Sequence, residues 1–233
     1  MRVLIGFSRC PITVTILRRM GIEAWTCDLR QANHAWHIQG DIWDVAGGSW
    51  DWGIFFPMCT YLTCSAAWAF SDPDFERYPG IGYHQRVKLG TLTGAARREA
   101  RAMALDDVRR ILALPYPKAI ENPATSFISK AIRRPDQIIQ PYEFGDDASK
   151  GTGLWLDRLP ALAINPVDRR PGRIVTHNGK QVERWANQTD SGQNRVTPST
   201  DRWLERSTTY PGIARAFAQW AGPDLVQTME AAE

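Results

Sequence analysis

A thiol and a carboxyl group, each at the end of an apolar run, are the side chains best placed to do chemistry in this chain. Cys59 follows the run Ile54-Phe55-Phe56-Pro57. A cysteine just past a buried strand is half exposed and can be activated by nearby cations. The competing reading is a buried structural thiol, the commoner fate of a lone cysteine; Cys64 is a second candidate, further from the strand end. Glu121 closes the run Lys118-Ala119-Ile120 and precedes Asn122 and Pro123. A carboxyl group emerging there is partly desolvated, which favours its neutral form and suits proton donation. The alternative for Glu121 is a structural ion pair. Together the two groups suit attack on a pyrimidine ring. Cys59 would add to C6 while Glu121 protonates or hydrogen-bonds N3, leaving C5 nucleophilic enough to take an electrophilic one-carbon group.

Two acids mark a place for a nucleoside-bearing cofactor. Asp28 ends the run Ile22-Glu23-Ala24-Trp25-Thr26-Cys27, where an acid can accept hydrogen bonds from ribose hydroxyls. Asp41 follows His37-Ile38-Gln39-Gly40 and could face an adenine. Helix caps or solvated loop acids are the bland readings of both. His34 and His37 fit no zinc-finger spacing and the cysteines form no CxxC pair, so a zinc site is not expected.

These residues need a scaffold that brings strand ends together. Residues 2–6, 22–28, 37–42, 51–57 and 118–123 read as strands. Helical spacing over 12–20 ends at Gly21, and residues 95–114 form a longer helix with Ala100, Met103, Ala104, Val108, Ile111 and Leu112 able to line one side. Its arginines 97, 98, 101, 109 and 110, interspersed with Glu99, Asp106 and Asp107, read as a solvated, self-paired face. Strands alternating with helices predict an α/β fold with an open, mostly parallel sheet, whose ligand sites lie at the carboxyl ends of the strands. Residues 1–164 would form the cofactor-binding and catalytic domain. Residues 165–233 would form a loop-rich, substrate-contacting lobe and a C-terminal helix, opening at Tyr210-Pro211-Gly212, that returns to the core.

Composition bounds the possibilities. The chain has 233 residues, is 43% hydrophobic and 23% charged, and so is long enough and apolar enough for a sizeable core. No apolar run approaches the ~20 residues of a membrane span, and the N-terminus lacks the pattern of a signal peptide. Four cysteines, at 10, 27, 59 and 64, are too few for a disulfide scaffold and point to a reducing cytoplasmic compartment. A net charge of +3 permits a polyanionic partner without demanding one.

The order of these motifs resembles the cytosine-C5 DNA methyltransferases, and more closely a compact phage-type branch of them. Val3 to Gly6 sits where that family has its first cofactor loop, continued here by Phe7, Ser8 and Arg9. Asp28 matches the acid on the ribose, and Gly40-Asp41-Ile42 the acid on the adenine side. Pro57-Met58-Cys59 stands for the Pro-Pro-Cys nucleophile turn, and Glu121-Asn122-Pro123 for the Glu-Asn-Val or Glu-Asn-Pro motif. Residues 134–141, 152–156, 191–195 and 206–214 look like further stretches of the phage-type branch. The resemblance covers nearly the whole chain. It implies a Rossmann-like fold of the S-adenosylmethionine-dependent methyltransferase type, S-adenosylmethionine as donor and DNA as substrate. It also implies Cys59, Glu121 and Asn122 as the catalytic set, and Gly6, Phe7, Ser8, Arg9, Asp28, Asp41, Ile42 and Pro57 around the cofactor.

Two departures from the family pattern bear on function. The first loop reads Gly6-Phe7-Ser8-Arg9-Cys10-Pro11, with no glycine after the aromatic and with Arg9 added. An arginine there would attract an extra carboxylate, so the donor is either S-adenosylmethionine or carboxy-S-adenosylmethionine, the latter giving 5-carboxymethylcytosine; otherwise Arg9 faces solvent or DNA phosphate. The second departure is size, which leaves little room for a separate target-recognition domain. Arg169, Arg170, Arg173, Lys180, Arg184, Arg195 and Arg202, interleaved with Trp185 and Trp203, could contact phosphates and stack on bases, or simply form a basic surface. Pro123, Arg195 and Arg202 are the expected substrate contacts. Sequence context should be short or absent, and the target base flipped out or already single-stranded. A free cytosine nucleotide as substrate and a non-catalytic DNA-binding protein are the rival readings.

Overall fold

The computed structural model describes residues 1–72, 90–195 and 208–222. Arg2–Gly6 (β1), Glu23–Asp28 (β2), His37–Gln39 (β3), Trp52–Phe55 (β4) and Lys118–Pro123 (β5) are parallel neighbours in the order β3-β2-β1-β4-β5. Two strands complete the seven-stranded sheet: Gln137–Ile139 (β6) and Thr152–Asp157 (β7). β7 lies between β5 and β6 and runs antiparallel to both. The sheet is therefore the expected open, mostly parallel, Rossmann-like one, with a reversed strand let into its far side.

Helices cover both faces, because alternate residues of each buried strand must find apolar partners on opposite sides. Val3, Ile5, Ala24, Trp52, Ile54 and Ala119 face Val14 and Leu17 of α1 (Pro11–Arg19) and, from the chain's end, Ile213, Phe217 and Trp220. The latter belong to the last described helix, Pro211–Ala216, and the 3₁₀ turn Phe217–Ala221 that continues it. Leu4, Cys27, Phe55, Ile120 and Trp155 face the opposite way, against Ala104, Leu105, Val108 and Ile111 of the long helix Gly94–Leu112. This last described helix thus packs on the core of the first strand.

Between these ends, Arg173–His177 (β8) and Lys180–Arg184 (β9) form an antiparallel hairpin. Asn178 and Gly179 both have positive φ, 51° and 74°, as a two-residue turn of the type that matches strand twist requires. Trp185 stacks on Tyr142 with ring centroids 4.0 Å apart and donates its indole N–H to the Arg170 carbonyl, pinning the hairpin to the sheet-side chain. No helix among the described residues is long and apolar enough to cross a membrane.

Several local readings are corrected. The third strand stops at Gln39, because Asp41 caps a short helix, Ile42–Val45 (α2), through the Trp43 N–H. Met103 is 67% exposed and Leu105 takes the core position instead. The strands β6 and β7 were not expected as strands at all.

Candidate active site

In a parallel sheet the carboxyl ends of all strands share one edge, and the order reverses between β1 and β4. The candidate residues fall on that edge: Gly6 to Arg9 after β1, Asp28 at the end of β2, Asp41 after β3, Pro57 to Cys59 after β4, and Glu121 to Pro123 at the end of β5. Register carries this placement further. β4 pairs with β5 only as far as Phe55 opposite Ile120, so Glu121, Asn122 and Pro123 run on beside the Pro57 turn while β7 pairs their other edge.

Asn122 makes the link explicit. It is 1% exposed, and its amide donates to the Pro57 carbonyl at 3.0 Å. Strand alternation turns Asn122 and Glu121 to opposite faces, so Asn122 clamps the cysteine turn while Glu121, half-buried, is available elsewhere. The Asn122 side-chain oxygen is buried, with no hydrogen-bond partner among the described residues. Beyond the strand, the Phe127 N–H donates to the Leu62 carbonyl at 2.6 Å, and Thr63 bridges to Ser126. The β5 end therefore holds the Cys59 segment at several points.

Cys59 is the first residue of a one-turn helix, Cys59–Leu62 (α3), which places its exposed side chain at the rim of the sheet edge, flanked by the exposed Met58. Cys64 is exposed as well, and its thiol donates to the Thr125 carbonyl at 2.9 Å. Cys27 is buried, and burial, with Asp28 next, pushes its thiol up to about 11. No disulfide joins the four cysteines.

We number the long helix Gly94–Leu112 α4, and it supplies the residues that sequence reasoning missed. Arg97 is 3% exposed and donates to the Thr60 carbonyl at 3.0 Å and the Leu92 carbonyl at 3.3 Å. Arg101 donates to the Tyr61 carbonyl at 3.1 Å, its guanidinium lying 3.2 Å from the Phe70 ring centre and 4.1 Å from that of Phe127. Arg98 donates to the Phe70 carbonyl at 2.7 Å. The expectation of a solvated, self-paired face is therefore wrong for Arg97 and Arg101. Extending the apolar spacing backwards from Ile111 and Val108 through Ala104 reaches 101 and 97, so both lie on the buried stripe of α4. That periodicity was the available signal.

The residues expected to hold a cofactor divide. Gly6 is required by packing: a Cβ there would come within 2.4 Å of the Phe55 ring and 2.9 Å of Ile42. Ile42 is buried in the same core, 3% exposed, and Pro57 is buried as well. Phe7 takes a left-handed φ of 56°, which sharply turns the chain off β1 and sets its ring edge-on to Trp43 at 6.1 Å. The Ser8 N–H then donates to the Cys27 carbonyl, and the Ser8 hydroxyl accepts from the Cys10 N–H. Arg9 is half-buried and reaches the Gln31 carbonyl at 3.4 Å, across the β2–β3 loop. Among the described residues, Asp28 accepts the Arg30 N–H, on one oxygen. Asp41 is exposed and occupied in part as a cap.

The basic lobe is largely spent on its own structure. Arg169 pairs with Glu183, Arg173 with Asp190 at 2.6 Å, and Arg184 and Arg195 bond to carbonyls of Asp190 and Gln188. Trp185 is 7% exposed, so it packs rather than stacks on a base. Arg195 remains exposed, and Arg202 and Trp203 lie outside the described residues. No protein-family model matches the chain, and no curated protein matches it.

Proposed function

We propose that the protein is a DNA cytosine-C5 transferase with Cys59 as nucleophile and S-adenosylmethionine, or its carboxylated relative, as donor. The observation that carries this reading is the Asn122–Pro57 hydrogen bond, which ties the Glu121 strand end to the Cys59 turn on the ligand-binding edge of the sheet. In this reading the Cys59 thiolate forms a bond to C6 of cytosine while Glu121 hydrogen-bonds N3 and offsets the charge gained by the ring. C5 becomes nucleophilic and would take the one-carbon group as the donor's sulfonium–carbon bond breaks and the neutral thioether leaves. Loss of the C5 proton to a solvent base and cleavage of the C6–sulfur bond would then restore the aromatic ring and the thiolate.

The cofactor-side residues fit such a donor. Asp28, at the end of β2, would accept from ribose hydroxyls, and the left-handed Phe7 turns the chain where a glycine would otherwise be favoured. The donor supplies an electrophilic one-carbon group, methyl or carboxymethyl. Arg9 would read the additional carboxylate by charge-assisted hydrogen bonding. Pro123, Arg195 and Arg202 would border the substrate, with the target cytosine flipped out or single-stranded. A reducing cytoplasm suits a mechanism that depends on a thiolate.

The test is to incubate the protein with DNA and each donor and weigh the deoxycytidine recovered after digestion. A gain of a methyl or a carboxymethyl group supports the reading and identifies the donor. Modification of cytidine nucleotide but not of DNA moves the substrate to the free nucleotide. Neither product, from folded protein, contradicts transferase activity.

A further inference from the structure

We propose that Arg97 and Arg101 are positioning residues for Cys59: they fix its turn from beneath and supply the positive charge that holds the thiol as thiolate. Their guanidinium groups donate to the carbonyls of Thr60 and Tyr61, the two residues that follow Cys59 in α3. Arg97 is almost wholly buried, and one of its nitrogens, Nε, has no hydrogen-bond partner among the described residues. Burying an arginine without a carboxylate is costly, and a merely structural role on this stripe would be filled as well by leucine or methionine.

Among the described residues neither arginine forms an ion pair. Aromatic rings surround them instead: Tyr61 and Phe70 about Arg97, Phe70 and Phe127 about Arg101. Rings contact a cation without cancelling its charge. Among the described residues, the other titratable groups on the elements that form or hold the turn include Tyr61 in α3, Cys64 beyond it and Glu121 on β5. Arg97, almost wholly buried, and Arg101, half-exposed, thus bring positive charge to the turn, the environment that favours a thiolate. Desolvation by burial draws the Arg97 and Arg101 guanidinium groups below their ordinary range.

The purpose of the device rests on the transferase reading, but its test does not. Iodoacetamide and iodoacetate both alkylate a thiolate: the sulfur–carbon bond forms as iodide leaves, and only the second reagent is an anion. Rates at Cys59 are read by peptide mass, with N-acetylcysteine as the reference thiol. The wild-type protein should show an iodoacetate-to-iodoacetamide ratio several-fold above the reference. Arg97→Met and Arg101→Met should each lower that ratio about threefold or more, and Arg97→Lys and Arg101→Lys should restore it, because the charge returns without the fork. Arg101 is half-exposed, so Arg101→Met and Arg101→Gln serve where Arg97→Met does not fold. An unchanged ratio in the folded methionine or glutamine variants overturns the proposal. No donor or nucleic acid enters this measurement, so missing cytosine product would refute the transferase reading and leave this one standing.

Discussion

Burial separates the cysteines into different chemical kinds. Cys27, walled into the core, should resist alkylation at neutral pH while Cys59 is modified, since burial raises the thiol of Cys27 to about 11. Peptide mapping after a brief iodoacetamide pulse measures the difference. Cys59→Ala should abolish cytosine modification and leave donor binding intact by calorimetry; retained turnover would remove Cys59 from the mechanism. Asp28→Ala should weaken donor binding about tenfold or more, the cost of hydrogen bonds to a charged acceptor, with thermal stability unchanged. Asn122 has another character. Truncating it to Ala strands the buried Pro57 carbonyl, so stability should fall by about 1–2 kcal/mol, and turnover should fall as the Cys59 turn loosens.

At the scale of elements, the edge that gathers the site is built from close fits. β1 and β4 approach through Gly6 and Gly53, between which the Phe55 ring is seated. Gly6→Ala should therefore destabilise by about 1–3 kcal/mol through overpacking, readable as a lowered midpoint in urea. Much of this scaffold was legible in the chain: β1 and β5 fall where the apolar runs place them, and α1 and α4 differ from expectation only at their ends. Helix and strand periodicity report burial, and burial is what the sheet imposes. Less legible was β7. Its run Gly153-Leu154-Trp155-Leu156 has no alternation because both of its edges and faces are covered, and periodicity alone cannot identify such a run. The hairpin carried its own signal in Asn178-Gly179, which the loop-like composition around it obscured. Asp41 shows the limit of type and position: the same acid reads as an adenine contact or a helix cap, and the structure uses it at least as the second.

At the scale of the molecule, β5, which carries part of the site, is locked to the inserted β7 by an ion pair with one buried and one partly exposed partner. Lys118 of β5, fully buried, bonds to Asp157 of β7 and to the Leu112 carbonyl at the end of α4. The Lys118 ammonium holds the Asp157 carboxyl below its ordinary range, with Arg158 assisting. A depressed carboxylate contributes stability that is full above the unfolded value, about 4, and is lost as pH falls through the folded value. Acid unfolding should therefore steepen below about pH 4. Asp157→Asn should flatten that limb. It should also cost roughly 2 kcal/mol at neutral pH, less than for a wholly buried pair because Asp157 is partly exposed. Lys118→Met should destabilise as well, since it removes the donor to the Leu112 carbonyl and leaves the Asp157 carboxylate to Arg158. What this architecture serves is decided by the mass of deoxycytidine from DNA treated with the wild-type protein and with Cys59→Ala, in the presence of each donor. A methyl-sized or carboxymethyl-sized gain in the wild type alone is the predicted result; unmodified cytosine with both donors, from folded protein, would contradict it.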